Sequence, residues 1–203
     1  MALVQPRPDL LKRAQRGDEQ AFAQIVRAYE TTVYDYIRRL VGDRSLAEEL
    51  TQEVFICVFR GLPRFSGRCR FTSWLFQVAK NWVYDELRRS TRRLETVTLE
   101  AGPELHVSDP LPEQGEAIQA LWRAVGGLNA GLKSPLLLRD VAGLSYAEIA
   151  EALELELATV KWRIYRAREL VQRDLARQGI TFGAPATAKA ERAHVPRVAV
   201  ESA

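Results

Sequence analysis

The segment from Thr159 to Arg177 carries cations and aromatic side chains at a spacing that suits contact with nucleic acid. Wound as a helix, it separates an apolar stripe from an opposite arc of cations and rings. The stripe consists of Val160, Ile164, Ala167 and Val171. The arc consists of Lys161, Trp162, Tyr165, Arg166 and Arg168. Because cations bind phosphates while the stripe packs against protein, this pattern predicts a helix that lies on DNA.

A second, capped helix is needed to position this segment. Ser145 and Glu148 form a capping-box pattern at the start of SYAEIAEALELELA, two residues after Gly143. The distance from there to Thr159 is that of a helix-turn-helix, whose second helix enters the major groove. The alternative is an amphipathic helix with a solvated basic face, which would not require the capped helix and turn before it.

The segment from Phe71 to Arg93 predicts a different nucleic-acid surface. Its apolar stripe consists of Phe71, Leu75, Val78 and Trp82, and core packing is the favoured interpretation for Trp74 and Trp82. The polar face and the loop before it contain Phe65, Arg68, Arg70, Gln77, Lys80, Asn81, Tyr84 and Arg88. Rings stack on bases, amides bind base edges and cations bind phosphates, which suits single-stranded DNA. Stacking contributes about 1–3 kcal/mol per base, enough to help offset the loss when a base leaves the duplex.

The helix predicted to begin at Ser45, with Glu48 completing a capping box, carries a third candidate surface. Its buried arc contains Leu46, Leu50, Val54, Val58 and Leu62. The opposite face contains Glu49, Gln52, Glu53, Ile56 and Arg60. An exposed isoleucine ringed by carboxylates and an amide suits docking of a basic partner protein. A single stray surface apolar residue is equally compatible with the spacing.

The chain reads as an all-α protein of two small helical domains joined by a flexible linker. Its 203 residues are 47% hydrophobic and 27% charged, as in globular proteins. The first domain is predicted at 9–93 and the second at 113–179, and each contains a basic block. In the second domain, helices are predicted around 118–125 and 135–141, before the capped helix at Ser145. Six acids and no Lys or Arg occupy Leu94 to Glu116, so residues 94–112 are predicted to be an acidic linker. Residues 180–203 are predicted to be a disordered tail.

Several classes of function lack the residues they would need. Cys57 and Cys69 have neither metal-ligand nor disulfide-framework spacing, and His106 and His194 lack supporting ligands. We therefore expect no metal and no cofactor. The chain also shows no nucleophile–base pair or phosphate loop, which argues against an enzyme. It shows neither a membrane-spanning run nor a secretory pattern, so we expect a cytoplasmic protein without membrane contact of its own.

Two blocks of the sequence resemble a known family, in the order that the family requires. DEQAFAQIVRAYETTVYDYIRRLVGD, AEELTQEVFICVFRGLPRF and FTSWLFQVAKNWVYDELRR resemble conserved region 2 of bacterial sigma factors. LLLRDVAGLSYAEIAEALELELATVKWRIYRARELV resembles region 4. With these two regions and a short linker, the chain resembles the extracytoplasmic-function (ECF) group.

The resemblance implies a non-catalytic protein that binds core RNA polymerase and directs it to promoter DNA. Glu49, Gln52, Glu53 and Ile56 would dock on the clamp helices of the β′ subunit, and region 4 would sit on the β flap. The eight residues between Phe65 and Arg88 named above would bind the −10 element and capture a flipped base. Lys161, Trp162 and Tyr165 would lie nearest the bases of the −35 element, with Arg163 and Arg166 on phosphates. An anti-sigma factor is an expected further partner.

The chain departs from the family pattern at a few positions of region 4. Trp162 replaces a small polar residue, and its ring could contact a thymine methyl group or block close approach. Glu154 and Ala158 replace glycines of the turn, where a positive φ would cost about 1 kcal/mol or more. Leu128-Asn129 replaces a Leu-Pro pair. Glu154 and Glu156 also add negative charge near a phosphate-facing turn, so weak or unusual −35 binding is expected.

Two other functions are compatible with parts of the pattern. A stand-alone helix-turn-helix regulator would use the second domain to bind DNA and the first as a sensor, but it would not need the AEELTQEVF docking pattern. A sigma-like decoy would sequester an anti-sigma factor without binding DNA. The altered turn favours the decoy, and the six cations between Thr159 and Arg177 argue against it.

Overall fold

The computed structural model describes residues 3–95 and 115–180, and these residues are helical without any strand. The described helices are α1 (Pro8–Gln15), α2 (Glu19–Val41), α3 (Arg44–Gly61), α4 (Phe71–Glu95), α5 (Glu116–Gly126), α6 (Ala130–Asp140), α7 (Tyr146–Leu153) and α8 (Leu157–Arg177). A short 3₁₀ turn, Leu62–Arg64, follows α3. We call α1 to α4 the first module and α5 to α8 the second module. The all-α, two-domain prediction is confirmed.

Local capping residues explain where the helices of the first module begin and end. Asp18 caps α2 by accepting a hydrogen bond from the Ala21 amide at 2.9 Å, and Gly42 ends it at φ 84°. The predicted capping box of Ser45 and Glu48 is wrong. Asp43 caps α3 instead, accepting from the Leu46 amide at 2.7 Å. Because Asp43 directly follows the left-handed Gly42, the chain has already turned and the helix starts before Ser45.

The second module confirms one predicted cap and corrects another helix start. Ser145 and Glu148 form the capping box, with the Glu148 amide donating to Ser145 Oγ at 3.2 Å. The helix expected from about Pro135 begins at Ala130, because Asn129 caps it through the Leu132 amide at 3.1 Å. Asn129 thus supplies a helix start where the family pattern has proline.

The core of the first module forms where α2, α3 and α4 meet. Fully buried side chains on these helices include Ile25, Val33, Ile37, Val54, Val58, Leu75 and Phe76. Tyr29 also points inward, its ring centroid 5.5 Å from that of Phe71, and its hydroxyl donates to the Val4 carbonyl at 2.5 Å. Burial raises the pKa of Tyr29 to about 12. This hydroxyl bond attaches the extended segment before α1 to the core.

In the second module, α6 is the most completely buried helix. Residues 132–138 are all buried, including Lys133, whose pKa is lowered by burial. Pro135 has no amide hydrogen, so the Gly131 carbonyl four residues earlier lacks its usual helical donor. Arg163 Nη1 lies 3.5 Å from that carbonyl oxygen. An arginine of α8 therefore contacts the backbone position that Pro135 leaves unpaired.

The two modules pack directly against each other. The Tyr36 hydroxyl and Ser134 Oγ are 2.8 Å apart in a buried hydrogen bond between α2 and α6. The Arg39 guanidinium lies 3.3 Å from the ring centroid of Trp122, joining α2 to α5. Further hydrogen bonds join α4 to α7. The described residues therefore form a closed arrangement, which the sequence analysis did not predict.

Most of the predicted linker and tail fall outside the described residues. The predicted linker, 94–112, starts inside α4, which continues to Glu95, and the rest of it is not described. The predicted tail is described only at Ile180. His106 and His194 also lie outside the described residues.

Candidate functional site

The helix-turn-helix of the second module is formed by α7, a three-residue turn and α8. All four predicted stripe residues of α8 are buried, from Val160 at 0% to Val171 at 6% exposure. They pack α8 against the rest of the module, so the opposite face is directed away from the core. This part of the prediction from helical periodicity is confirmed.

The exposed face of α8 presents two large rings. Trp162 is 62% exposed and Tyr165 is 59% exposed, and Lys161 beside them is exposed as well. Leu157 at the first position of α8 is 45% exposed, and the sequence analysis did not single it out. It lies four residues before Lys161 and eight before Tyr165, a helical spacing that could have identified it. Such a face can donate to phosphates and make apolar contact with base edges.

Arg163, Arg166 and Arg168 of α8 are engaged within the protein. Arg163 contacts the Gly131 carbonyl, and Arg166 forms an ion pair with Glu169 at 2.7 Å. Arg168 forms an ion pair with Asp140 at 2.6 Å, which joins α8 to α6. Arg166 and Arg168 are therefore half-buried on their arc, whereas Lys161, Trp162 and Tyr165 project freely.

The turn between α7 and α8 is strained at one residue. Glu154 has φ 55° and ψ 47°, and it is the only residue other than glycine with positive φ among those described. Ala158, by contrast, lies in the first turn of α8 in helical conformation. The prediction of a positive φ is therefore confirmed at Glu154 and wrong at Ala158. Ala158 is helical because α8 already begins at Leu157.

The eight predicted −10 residues lie along α4 and the loop before it, in different environments. Arg68 and Asn81 are exposed, Lys80 is half-buried, and Arg88 lies 3.5 Å from the Asp85 carboxylate. Phe65 is half-buried, with ring centroids 5.0 Å from Trp74 and 6.0 Å from Phe71.

The two tryptophans beside this surface contribute to packing. Trp74 contacts the position of Gly61, where an added Cβ would lie 3.1 Å from the indole ring. Trp82 is half-buried, with the Arg89 guanidinium 5.6 Å from its ring centroid. Both rings pack against the hydrophobic core, which agrees with the interpretation favoured from sequence.

Three of the eight −10 residues contact the second module. Arg70 Nη1 is 3.3 Å from Glu148 Oε1, and Gln77 Nε2 donates to Glu154 Oε1 at 2.7 Å. The Tyr84 hydroxyl donates to the Ala130 carbonyl at 3.3 Å. The closed arrangement thus covers part of the surface predicted for single-stranded DNA.

The candidate docking face lies on α3. Glu49 and Gln52 are exposed, Glu53 is half-buried and Ile56 is 42% exposed. The structure adds Phe59, which is 39% exposed although its ring meets that of Phe22 edge-on at 4.9 Å. Its position three residues after Ile56 places it on the same face and could have identified it. Two exposed apolar side chains bordered by carboxylates make an isolated stray residue an insufficient explanation.

The described residues form neither a metal site nor a membrane-spanning helix. No group of three His, Cys, Asp or Glu residues within 3–95 and 115–180 is placed to hold a metal ion. Cys57 and Cys69 are free thiols. Among the described helices, none has the length and apolar character needed to cross a membrane.

Comparison with known proteins supports an assignment for both modules. Residues 25–93 match the sigma-70 region 2 family, and residues 118–171 match sigma-70 region 4. The ECF RNA polymerase sigma-E factor of Escherichia coli K12 is 33% identical over 173 residues, covering 80% of this chain and 90% of that protein. The RNA polymerase sigma-H factor of Pseudomonas aeruginosa is 32% identical over 177 residues, covering 82% and 92%.

Solved structures show the same fold. CnrH, solved in complex with the cytosolic domain of CnrY, aligns with a TM-score of 0.63 at 24% identity over 83% of this chain and 96% of that chain. The sigma factor RpoE of Bartonella quintana, solved with the anti-sigma factor NepR, aligns with a TM-score of 0.63 at 22% identity over 76% and 96%. With both regions matched in order and curated relatives covered almost completely, the chain belongs to the ECF group of the sigma-70 family, alternative sigma factors that direct transcription initiation by RNA polymerase.

Proposed function

We propose that this sigma factor recognises the −35 element through α8 and the −10 element through α4 and its preceding loop. The observation that carries the proposal is the division of α8 into two faces. Its apolar stripe is fully covered, while Trp162 and Tyr165 remain about 60% exposed beside Lys161. Large rings that remain in solvent on a basic helix expose apolar surface to water, which is unfavourable. The base edges in a major groove could cover these rings.

The −10 surface would use residues with distinct chemistry. Asn81 and Gln77 offer amides for base edges, Phe65 and Tyr84 offer rings, and Lys80 is a candidate for phosphate. Arg68, Arg70 and Arg88 supply further positive charge along the same side of the module. Among these, Arg68, Arg70, Asn81 and Arg88 are exposed in the closed arrangement and therefore accessible at first encounter.

Core polymerase would dock on the α3 face formed by Glu49, Gln52, Glu53, Ile56 and Phe59. The β′ clamp helices are the proposed partner of this face, and the β flap is the proposed partner of the second module. The proposed boundaries are 9–93 for region 2, 94–112 for the linker and 113–179 for region 4. Matches to both regions favour this function over a stand-alone helix-turn-helix regulator.

The remaining proposals concern partners and setting. Because CnrH and the Bartonella quintana RpoE were solved in complex with CnrY and NepR, we infer that this chain also binds an anti-sigma factor. We further propose that it catalyses no reaction itself, needs no cofactor and acts in the cytoplasm with RNA polymerase.

Run-off transcription tests the proposed function. Core polymerase is incubated with a genomic promoter library, with and without the protein, and the transcript starts are mapped. We expect start sites that depend on the protein and share −35 and −10 sequences. If no specific start sites appear although the core enzyme is active with another sigma factor, the proposal is wrong.

A further inference from the structure

A row of three carboxylates on the second module contacts the beginning of α4. Glu148, Glu151 and Glu154 are spaced three residues apart, so they lie on neighbouring positions along one side of α7 and its C-terminal end. Each accepts at least one hydrogen bond from the first module. The donors are Arg70 and Thr72 to Glu148, at 3.3 and 2.9 Å, Ser73 to Glu151, at 2.7 Å, and Gln77 to Glu154, at 2.7 Å.

The two oxygens of Glu148 have separate roles. Oε2 accepts from the Ser145 amide and hydroxyl and so completes the capping box of α7. Oε1 accepts from Thr72 and Arg70 of the first module. Thr72 is itself buried and also accepts a hydrogen bond from Gln5. The N-terminal segment, α4 and α7 are thereby connected through one hydroxyl group.

The position of this row on α4 has a physical reason. Thr72 and Ser73 lie in the first turn of α4, where unpaired amides give the helix end a partial positive charge. Arg70 adds a full positive charge next to it. Carboxylates and phosphates are both stabilised at such a place. The row of glutamates therefore lies at a positively charged helix end, where the phosphates of a DNA strand could also bind.

The contact extends well beyond the carboxylates. The buried Tyr36–Ser134 bond, the Tyr84–Ala130 bond and the stacking of Arg39 on Trp122 join other parts of the same modules. Together they place the second module over Gln77 and Tyr84, and beside Arg70. DNA that used the Gln77 amide nitrogen or the Tyr84 hydroxyl would have to displace their present partners. Arg70 pairs with Glu148, although 62% of its side chain stays exposed.

We propose that the glutamate row, Glu148, Glu151 and Glu154, is an internal phosphate mimic that holds the two modules closed in the free protein and masks the −10 surface. The masking part rests on the proposed function, whereas the closing part does not. Free sigma factor would bind single-stranded DNA weakly, and separation of the modules on the polymerase would expose the full surface. The row is thus an autoinhibitory contact built from this chain's own residues.

The closing part is tested by single-molecule fluorescence energy transfer in the full-length protein. Dyes are attached at Thr31→Cys and Gln172→Cys, two exposed positions on different modules, after Cys57→Ser and Cys69→Ser. The latch variant is Glu151→Gln with Glu154→Gln. The matched control is Glu30→Gln with Glu156→Gln, which removes two exposed charges that have no hydrogen bond to the other module among the described residues.

We expect the wild type and the control to be mainly closed. Glutamine can still accept from Ser73 and Gln77, but without the charge that strengthens both bonds, so the ratio of separated to closed molecules in the latch variant should rise about tenfold. Circular dichroism of all three proteins verifies that the helices are intact. The proposal is overturned if the latch variant shows the same transfer distribution as the control, or if the wild type is already separated.

The masking part is tested with a fluorescein-labelled, random-sequence single-stranded DNA of 20 nucleotides and the same proteins without polymerase. Apparent affinity follows the fraction of open molecules, so we expect the latch variant to bind up to about tenfold more tightly than the matched control. Adding Arg70→Ala and Gln77→Ala should remove the gain. If the modules separate and the affinity for single-stranded DNA does not rise, the closing role of the glutamate row is supported and the proposed −10 surface is wrong.

Discussion

Glu154 shows how a single residue can work against the local backbone. It ends α7 in the left-handed region, which every residue with a Cβ atom disfavours by about 1 kcal/mol or more relative to glycine. Its side chain is exposed and its one cross-module bond goes to Gln77. At this position the left-handed backbone destabilises the fold, whereas the hydrogen bond from Gln77 stabilises it.

Comparison of Glu154→Gly with Glu154→Ala isolates the strain. Both variants lose the bond to Gln77, but only alanine keeps the disfavoured conformation. We expect the glycine variant to be more stable than the alanine variant by about 1 kcal/mol in the free energy of unfolding measured with urea. Equal stabilities, or a more stable alanine variant, would show that the turn is not left-handed at this position.

Arg163 illustrates what spacing alone cannot decide. From sequence it is one of several cations on a DNA-binding helix, and we assigned it to phosphate. In the structure it lies near the Gly131 carbonyl that Pro135 leaves without a helical donor. That role follows from a proline 28 positions away, so no helical-wheel argument within α8 could have found it.

At the scale of elements, α3 exposes two large apolar side chains, Ile56 and Phe59, to solvent. We expect Glu53→Lys combined with Ile56→Asp to abolish co-purification with core polymerase. The first substitution places a cation opposite a basic partner, and the second places a carboxylate where an apolar contact is expected. Phe59→Ala should weaken the association to a smaller degree, since its ring is partly held by Phe22.

Two controls accompany the α3 experiment. Glu30→Lys makes the same charge reversal at an exposed position of α2 and should co-purify normally. Thermal unfolding should show midpoints close to wild type, because exposed substitutions usually change stability by less than about 0.5 kcal/mol. Normal co-purification of the α3 double variant would show that polymerase docks elsewhere.

Helix identity followed from the sequence more reliably than helix ends. The stripes of α3, α4 and α8 were predicted because helical periodicity needs only neighbouring residues. The start of α3 was wrong because Asp43 and Ser45 are both good caps, and the left-handed Gly42 before them decided between these two. The start of α6 was placed too late because Pro135 suggested a first turn, whereas the cap is Asn129.

At the scale of the whole molecule, the contact between modules could not be predicted. Tyr36 and Ser134 are 98 positions apart, and Gln77 and Glu154 are 77 apart. Such pairs leave no periodic pattern in a single sequence, and each of their members is an ordinary polar residue. Glu148 was correctly assigned to a capping box, but its second role on Thr72 depends on this long-range contact.

Acid should weaken the closed arrangement through Glu148. Burial alone would raise the pKa of this carboxyl, but hydrogen bonds from Ser145, Thr72 and Arg70 outweigh burial and hold the pKa below its ordinary value near 4.5. A lowered pKa in the folded state means that the ionised carboxylate stabilises the fold. That stabilisation is complete above about pH 4.5 and is lost as the pH falls through the lowered pKa.

Thermal unfolding of the wild type and Glu148→Gln between pH 7 and pH 3 measures this effect. Glutamine can keep the shape and some hydrogen bonds of the site, but not the charge that strengthens them. At pH 7 we expect the wild type to be more stable by about 1–2 kcal/mol, or several degrees in Tm. As the pH falls below about 4.5 the wild-type carboxyl becomes protonated and the gap should close. A gap that stays constant or widens towards pH 3 would mean that the Glu148 charge does not stabilise the folded, closed protein.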